Sequence, residues 1–167
     1  FFVDIKNVEI ANGDKVTKIG IIDNETLENK WEQGYYTGGL IGFSQLMRCT
    51  AENVDIKGAQ IVGGYSGGII GAISASIYCD LKNVTVSGLS ADEKQLIQGV
   101  RSVGGIYGKA KTVTDSYSDG TYNKYDLNIS IDEACVKDME LKNVFTAKKN
   151  EYRNIGGIGG ETSRYYG

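Results

Sequence analysis

Histidine and proline are both absent from this chain of 167 residues. Without histidine, the chain lacks the commonest general base, the commonest zinc ligand and any Ser-His or Cys-His catalytic pair of its own. Its three cysteines, Cys49, Cys79 and Cys135, form no Cys-x-x-Cys pair, which argues against a zinc site. We therefore expect no catalytic residue, no metal and no cofactor here, and we do not expect the chain to be an enzyme by itself.

Concentrated positive charge and long apolar segments are also missing. The net charge is −3, and the 18 Lys and Arg residues are scattered along the chain. Because phosphate backbones require clustered positive charge, nucleic acid is not an expected partner. No apolar run approaches the roughly 20 residues of a membrane-spanning helix, so we expect no membrane insertion. The chain begins at Phe1 with no initiator methionine and no visible signal peptide, and we expect it to be a piece of a longer protein.

Glycine is abundant, with 23 residues, although proline is absent. That combination argues against a flexible Pro/Gly linker and favours glycines at fixed structural positions. The hydrophobic share of 41% and the charged share of 23% are typical of a folded protein. The length suits one domain covering residues 1–167.

A Gly-Gly-x-x-Gly element recurs along the chain, at residues 38–42, 67–71 and 104–108, with a shortened form at residues 156–160. A second recurring element is an Asn-Val step, found at Asn7, Asn53, Asn83 and Asn143. Two of these intervals, from Gly38 to Gly67 and from Asn53 to Asn83, are 29 and 30 residues long. Internal repeats of this length indicate a solenoid, in which each unit buries its apolar face against its neighbours.

Within a repeat the apolar residues alternate with a period of two, which predicts strands. Ile77, Cys79 and Leu81 share one face, and after Asn83 the inward face passes to Val84 and Val86. A one-residue shift of phase indicates a corner, and asparagine tolerates the left-handed backbone that a corner needs. We therefore predict a parallel β-helix with an asparagine ladder at one corner, formed by Asn7, Asn53, Asn83 and Asn143. The glycine pairs are expected at another corner, with positive φ and close backbone approach.

Uneven spacing between repeats predicts excursions from the coil. The Ser-x-x-Glu pattern at Ser90 predicts a short helix over residues 90–98. A second Ser-x-x-Glu at Ser130 is compatible with either a helical turn or a strand. The interval from Asn83 to Asn143 predicts an intermediate coil at residues 113–118, and the polar stretch 23–31 predicts a loop or a short helix. The expected fold class is all-β, a parallel β-helix with one or two short helical excursions.

The glycine elements, each followed by a polar stretch and a second strand over about residues 36–160, resemble the GLUG motif. This motif occurs in large secreted and surface-anchored bacterial proteins, including adhesin-like proteins and non-catalytic regions of immunoglobulin-A-cleaving metallopeptidases. The resemblance implies a right-handed β-helix located outside the cell or on its surface. It carries no catalytic residue to this chain, because the glycines of the motif are structural.

Some side chains have both a functional and a structural interpretation. Cys49 and Cys79 each lie five residues before the valine of their Asn-Val step, so they form either a disulfide or, as we favour, a column of buried thiols. The acidic residues Asp55 and Asp80 are out of register and are expected to be solvated outward charges. Five tyrosines are the candidate contact surface, although for several of them we favour a structural role, in which they cover apolar strand edges or fill gaps between coils: Tyr65, Tyr78, Tyr107, Tyr117 and Tyr122.

The resulting functional hypothesis is a non-catalytic extracellular module that acts as a spacer or as an adhesive, protein-interaction surface. Its expected partners are a protein or glycan on a host or neighbouring cell and the flanking domains of its own protein. Two alternatives remain open. One is a substrate-positioning domain of a secreted metallopeptidase, and the other, less favoured, is a carbohydrate-active β-helix enzyme, which would need carboxylates clustered in a groove.

Overall fold

A computed structural model of the chain describes residues 2–20, 35–45, 48–74, 78–116, 122–125, 127–144 and 154–163. These residues form strands and turns, without a helix. The strands follow one another in four passages of the chain, which we number 1 to 4. No helix that is long and apolar enough to cross a membrane occurs among the described residues.

Passage 1 contains β1 (Phe2–Ile10), β2 (Thr17–Gly20), β3 (Tyr36–Gly38) and β4 (Ile41–Gln45). Passage 2 contains β5 (Arg48–Lys57), β6 (Ala59–Gly67) and β7 (Ile70–Ser74). Passage 3 contains β8 (Tyr78–Ser87), β9 (Gln95–Gly104) and β10 (Tyr107–Lys111). The strands β11 (Val113–Ser116) and β12 (Tyr122–Tyr125) then pair antiparallel with each other. Passage 4 contains β13 (Ile129–Lys137), β14 (Met139–Asn143), β15 (Asn154–Gly156) and β16 (Gly159–Ser163).

Each passage contributes to the same three parallel sheets, and the strands lie in passage order within each sheet. Sheet 1 has the order β1-β5-β8-β13, and sheet 3 has the order β4-β7-β10-β16. Sheet 2 has the order β2-β6-β9-β14, with β3 also paired to β6 and β15 to β9. The chain is therefore all-β with parallel sheets, and equivalent residues of successive passages lie beside each other.

The predicted change of phase in sheet 1 is produced by residues with left-handed backbone. Asn7, Asn53 and Asn83 have φ values of 55°, 55° and 50°. Because successive strand residues point to opposite faces, one left-handed residue inside a strand resets the alternation. In β8, Cys79 and Leu81 before the corner and Val84 after it are all fully buried, as the sequence predicts.

The prediction that Asn143 belongs to this asparagine corner is wrong. Asn143 lies in β14 of sheet 2, opposite Gly99, and its Nδ2 donates a hydrogen bond to the carbonyl of Arg101 over 3.1 Å. The corner of passage 4 is formed by Glu133, with φ of 55°. Pairing with β8 holds Asp132 beside Lys82 and Ala134 beside Val84, so Glu133 between them takes the corner conformation.

The glycine pairs stack as well, but not because of positive φ. Gly67 lies beside Gly38 and Gly104, and neither residue of any pair has a positive φ. The close approach of neighbouring backbones explains the glycines instead. A Cβ atom on Gly68 would lie 2.0 Å from the carbonyl oxygen of Gly105 in the next passage, a distance that no side chain tolerates.

Two predictions for the segments between the glycine elements are wrong. The prediction of a helix over residues 90–98 is wrong, because β9 begins at Gln95, where pairing with β14 holds the backbone extended. The Ser-x-x-Glu pattern does form its capping hydrogen bond, in which the Glu93 amide donates to the Ser90 hydroxyl oxygen over 3.1 Å. This hydrogen bond closes a single turn and no helix follows. The intermediate coil predicted at residues 113–118 is also wrong, because β11 pairs with β12 outside the three sheets.

The other local predictions have simple outcomes. Residues 129–131 belong to β13, so the second Ser-x-x-Glu marks a strand. The stretch 23–31 lies outside the described residues.

The apolar core lies between the three sheets and is most complete in passages 2 and 3. Isoleucines at positions 56, 61, 69, 70, 73 and 97 are fully buried there, and each such burial contributes about 1.5–3 kcal/mol. Equivalent residues of passages 1 and 4, such as Val8 and Ile131, are only half-buried. The first and last passages therefore cover the middle of the core while their own outer sides remain accessible.

Candidate functional site

The outward face of sheet 1 carries a groove of about 240 Å³ that we call the sheet 1 groove. It is built from two columns of side chains that alternate with the buried ones. The first column, three residues before each corner asparagine, holds Asp4, Thr50 and Asp80. The second column, directly before each asparagine, holds the remaining charges: Lys6, Glu52 and Lys82. Phe2 and Ala51 complete the lining.

Hydrogen bonds keep the carboxylate of Asp4 in its ionised form. The Thr50 hydroxyl donates to Asp4 Oδ1, and Lys6 Nζ lies 3.1 Å from Asp4 Oδ2. Together these contacts lower the pKa of Asp4, with the Thr50 hydrogen bond as the larger cause. Asp4 is consequently an anionic acceptor at neutral pH, at the first-passage end of the groove.

Asp80 lines the groove on strand β8, and Tyr78 of the same strand lies next to it. The Tyr78 hydroxyl donates to Asp80 Oδ2 over 2.9 Å, and this hydrogen bond raises the pKa of Tyr78. The Tyr78 side chain is 42% exposed and that of Phe2 is 64% exposed. An exposed aromatic ring beside ordered carboxylates is an arrangement that suits contacts with sugars or with polar protein surfaces.

The charges of the groove alternate down the sheet. Lys6, Glu52 and Lys82 follow one another in adjacent strands, so neighbouring charges in this column have opposite signs. This alternation lets the carboxylates and ammonium groups act as hydrogen-bonding partners without a large field of one sign. Among the described residues, no group of three or more His, Cys, Asp or Glu side chains is placed to hold a metal ion.

A second cluster, the junction cluster, lies between sheets 2 and 3. The ring of Tyr36 stacks on Phe43 at a centroid distance of 4.7 Å and on Tyr65 at 5.3 Å. Lys109 Nζ lies 4.7 Å from the centroid of the Tyr65 ring, and an Arg101 guanidinium nitrogen donates to the Tyr65 hydroxyl over 3.0 Å. Aromatic stacking and cation–π contacts of this kind connect three passages.

Glu161 of passage 4 completes the junction cluster. Its carboxylate lies 3.2 Å from Lys109 Nζ and accepts a hydrogen bond of 3.0 Å from the Ser102 hydroxyl. Partial burial opposes ionisation, but the Lys109 charge and the hydrogen bonds outweigh it, so the pKa of Glu161 is lowered. Burial raises the pKa of Tyr36 in the same cluster. These contacts are internal, and we interpret the cluster as a structural link between sheets.

The tyrosines expected as a contact surface separate into different environments. Tyr78 is exposed beside the sheet 1 groove, whereas Tyr65 is only 5% exposed and does not offer its ring to a partner. Tyr107 is half-buried, and its hydroxyl lies 2.9 Å from Thr162 Oγ1. Tyr117 lies outside the described residues, and of Tyr122 only the backbone, in β12, is described.

The two aligned cysteines lie inside the core. Cys49 and Cys79 lie opposite each other in β5 and β8, are fully buried, and are free thiols. A hydrogen bond with Cys49 and burial raise the pKa of Cys79, which keeps that thiol protonated. Cys135 is an exposed free thiol on β13. The cysteines therefore have no place in the sheet 1 groove.

The asparagine ladder positions the groove. Asn53 Nδ2 donates to Asn7 Oδ1 over 3.0 Å, and Asn83 Nδ2 donates to Asn53 Oδ1 over 2.8 Å. These bonds hold three strands in one register directly beside the charged column. Sequence reasoning missed Asp4, Thr50 and Glu52, although counting back from each asparagine would have aligned them.

Comparison of the chain with protein-family models, with curated proteins and with solved structures finds no match. The interpretation of the groove therefore depends on its geometry and its chemistry.

Proposed function

We propose that this chain is a non-catalytic module of a bacterial surface or secreted protein, with a right-handed parallel β-helix of the GLUG type. In this proposal the four passages are successive coils, which act as a rigid spacer, and the sheet 1 groove is its adhesive surface. The partners are glycans or proteins on a host or neighbouring cell, together with the flanking domains of the same protein. The single observation that carries the adhesive function is an exposed groove whose aromatic, carboxylate and ammonium groups are held in register.

The chemistry of the groove supports binding rather than turnover. Asp4 accepts a hydrogen bond from Thr50 and Asp80 accepts one from Tyr78, which restricts the orientation of both carboxylates. Ordered acceptors next to an exposed ring are suited to hydroxyl and amide donors, and little ordering entropy is lost on binding. The stacked passages supply stiffness, because each pairs with its neighbours in three sheets.

The test is binding of the labelled chain to intact epithelial and bacterial cells. We expect the double variant Tyr78→Ala/Asp80→Ala to weaken binding at least about tenfold, because interface aromatics and their hydrogen-bond partners commonly dominate affinity. The control is Glu140→Ala, which changes an exposed carboxylate on β14, away from the groove. Protease or glycosidase treatment of the cells distinguishes a protein partner from a glycan. Absence of binding to either cell type, or equal binding by the two variants, would overturn the adhesive function.

A further inference from the structure

Among the described residues, sheet 1 has one edge strand on each side. These edge strands are β1 and β13, and no described strand pairs with the outer row of backbone groups of either one. Val8 and Ala134, on these edges, are half-buried, whereas Val54 and Val84 in the same column are buried. Each edge therefore lacks the neighbour that covers the equivalent residue in the middle strands.

The charges at the two edges are complementary. One column of the sheet reads Lys6, Glu52, Lys82, Asp132, so the sign changes at every step from β1 to β13. If β1 of a second copy paired with the free edge of β13 in the same register, its Lys6 would lie beside Asp132. The alternation would then continue across the contact without an interruption.

The corner ladder is complementary in the same direction. Each asparagine amide donates toward the earlier passage, from Asn83 to Asn53 and from Asn53 to Asn7. Asn7 is the first member, and the last corner is Glu133, whose carboxylate only accepts hydrogen bonds when ionised. Asn7 of a second copy placed beyond β13 would therefore donate to Glu133 with the polarity of the ladder preserved.

Gly157 provides an independent observation at the other side of passage 4. In the three earlier glycine pairs, the second glycine faces the next passage, where a Cβ atom would lie 2.0–2.3 Å from a carbonyl oxygen. These second glycines are Gly39, Gly68 and Gly105. Around Gly157 no described residue lies within 4 Å of such a Cβ, so contacts within the described part of the chain do not require glycine there. A further passage in the same register would require it.

We propose that copies of this chain associate head to tail, with passage 1 of one copy pairing onto passage 4 of the next. The contact is heterologous, since it joins two different edges, and its repetition extends into a linear filament. The inference follows from the edge strands and does not depend on what the sheet 1 groove binds.

Charge reversal at the two ends provides the first test, by sedimentation velocity over a concentration series and electron microscopy. The wild-type chain is expected to form concentration-dependent linear oligomers. Lys6→Glu and Asp132→Lys each place like charges at the contact, so each alone should weaken association at least about fivefold. Mixed together, the two variants restore opposite charges at every contact and should associate as the wild type does. Lys57→Glu and Asp55→Lys make the same changes in passage 2 and should leave association unchanged.

A second variant and a cross-link make the test independent of charge. Gly157→Ala should leave thermal unfolding of the dilute monomer unchanged and should abolish association, because the added methyl blocks the incoming backbone. A zero-length carbodiimide cross-link should join Lys6 to Asp132. Within one copy three strand spacings, about 14 Å, separate these residues, so that amide bond must form between copies.

Several results would overturn the proposal. A wild-type chain that stays monomeric at high concentration would exclude head-to-tail association and leave a flanking segment as the alternative occupant of the ends. Failure of the mixed variants to associate, or unimpaired association of Gly157→Ala, would exclude this register. A cross-link pattern that joins two β1 edges would indicate a symmetric dimer instead.

Discussion

Asn53 holds a backbone conformation that most side chains avoid. Its φ of 55° lies in the left-handed region, which costs a non-glycine residue of order 1–3 kcal/mol unless the surroundings compensate. Here the compensation is visible, since Asn53 both donates to Asn7 and accepts from Asn83. The same side chain therefore favours the corner and joins three strands.

Substitutions of Asn53 separate the contribution of its hydrogen bonds from its tolerance of positive φ. We expect Asn53→Ala to lower the free energy of unfolding by about 1–3 kcal/mol, because alanine loses both hydrogen bonds and is strained at positive φ. Asn53→Gly, the matched variant, loses the same bonds without that strain and should cost less. Urea unfolding monitored by circular dichroism measures both. An alanine variant as stable as the wild type would contradict a stabilising ladder.

At the scale of secondary-structure elements, pairing between strands overrides the conformational preferences of the local sequence. Glu133 has no special tendency toward positive φ, yet pairing of β13 with β8 gives it the corner conformation. Likewise, the Ser90–Glu93 turn begins like a helix, but β9 follows because β6 and β14 pair with it on either side. At the element scale, the register with a neighbouring passage determines the backbone.

The link between β10 and β16 predicts a pH dependence. The pKa of Glu161 is lowered in the folded chain. Ionised Glu161 therefore stabilises the folded state above the ordinary glutamate pKa, and this stabilisation is lost as the pH falls through the folded pKa. Glu161→Gln should therefore reduce stability at neutral pH by on the order of 1 kcal/mol. The wild-type and variant unfolding midpoints should converge on acidification, as measured by urea unfolding at a series of pH values. Parallel curves would contradict the ion pair with Lys109.

At the scale of the whole molecule, side chains are more completely buried in the two middle passages than in the two end passages. Fully buried side chains lie mainly in passages 2 and 3, while the equivalent residues of passages 1 and 4 are half-buried. In a stacked arrangement each passage is stabilised by the neighbours on both sides, and the end passages have only one.

Amide hydrogen exchange of the dilute monomer should report this gradient. We expect the slowest exchange in β6 and β9 and faster exchange in β1 and β13, because the edges open without unfolding the middle. Raising the protein concentration should slow exchange in β1 and β13 selectively if the ends associate. Uniform protection across the four passages at low concentration would contradict independent fraying of the ends.

The sequence by itself determined the all-β class, the parallel pairing of strands, the corner at Asn7, Asn53 and Asn83, and the alignment of Cys49 with Cys79. These follow from a period of two, from its change of phase, and from spacing, all of which act over a few residues. The positions of Glu133 and Asn143, the burial of Tyr65 and the existence of the sheet 1 groove were decided only by the tertiary structure. They depend on which residue a neighbouring passage places alongside, and hydrogen bonds between strands outweigh the small preferences that local sequence expresses.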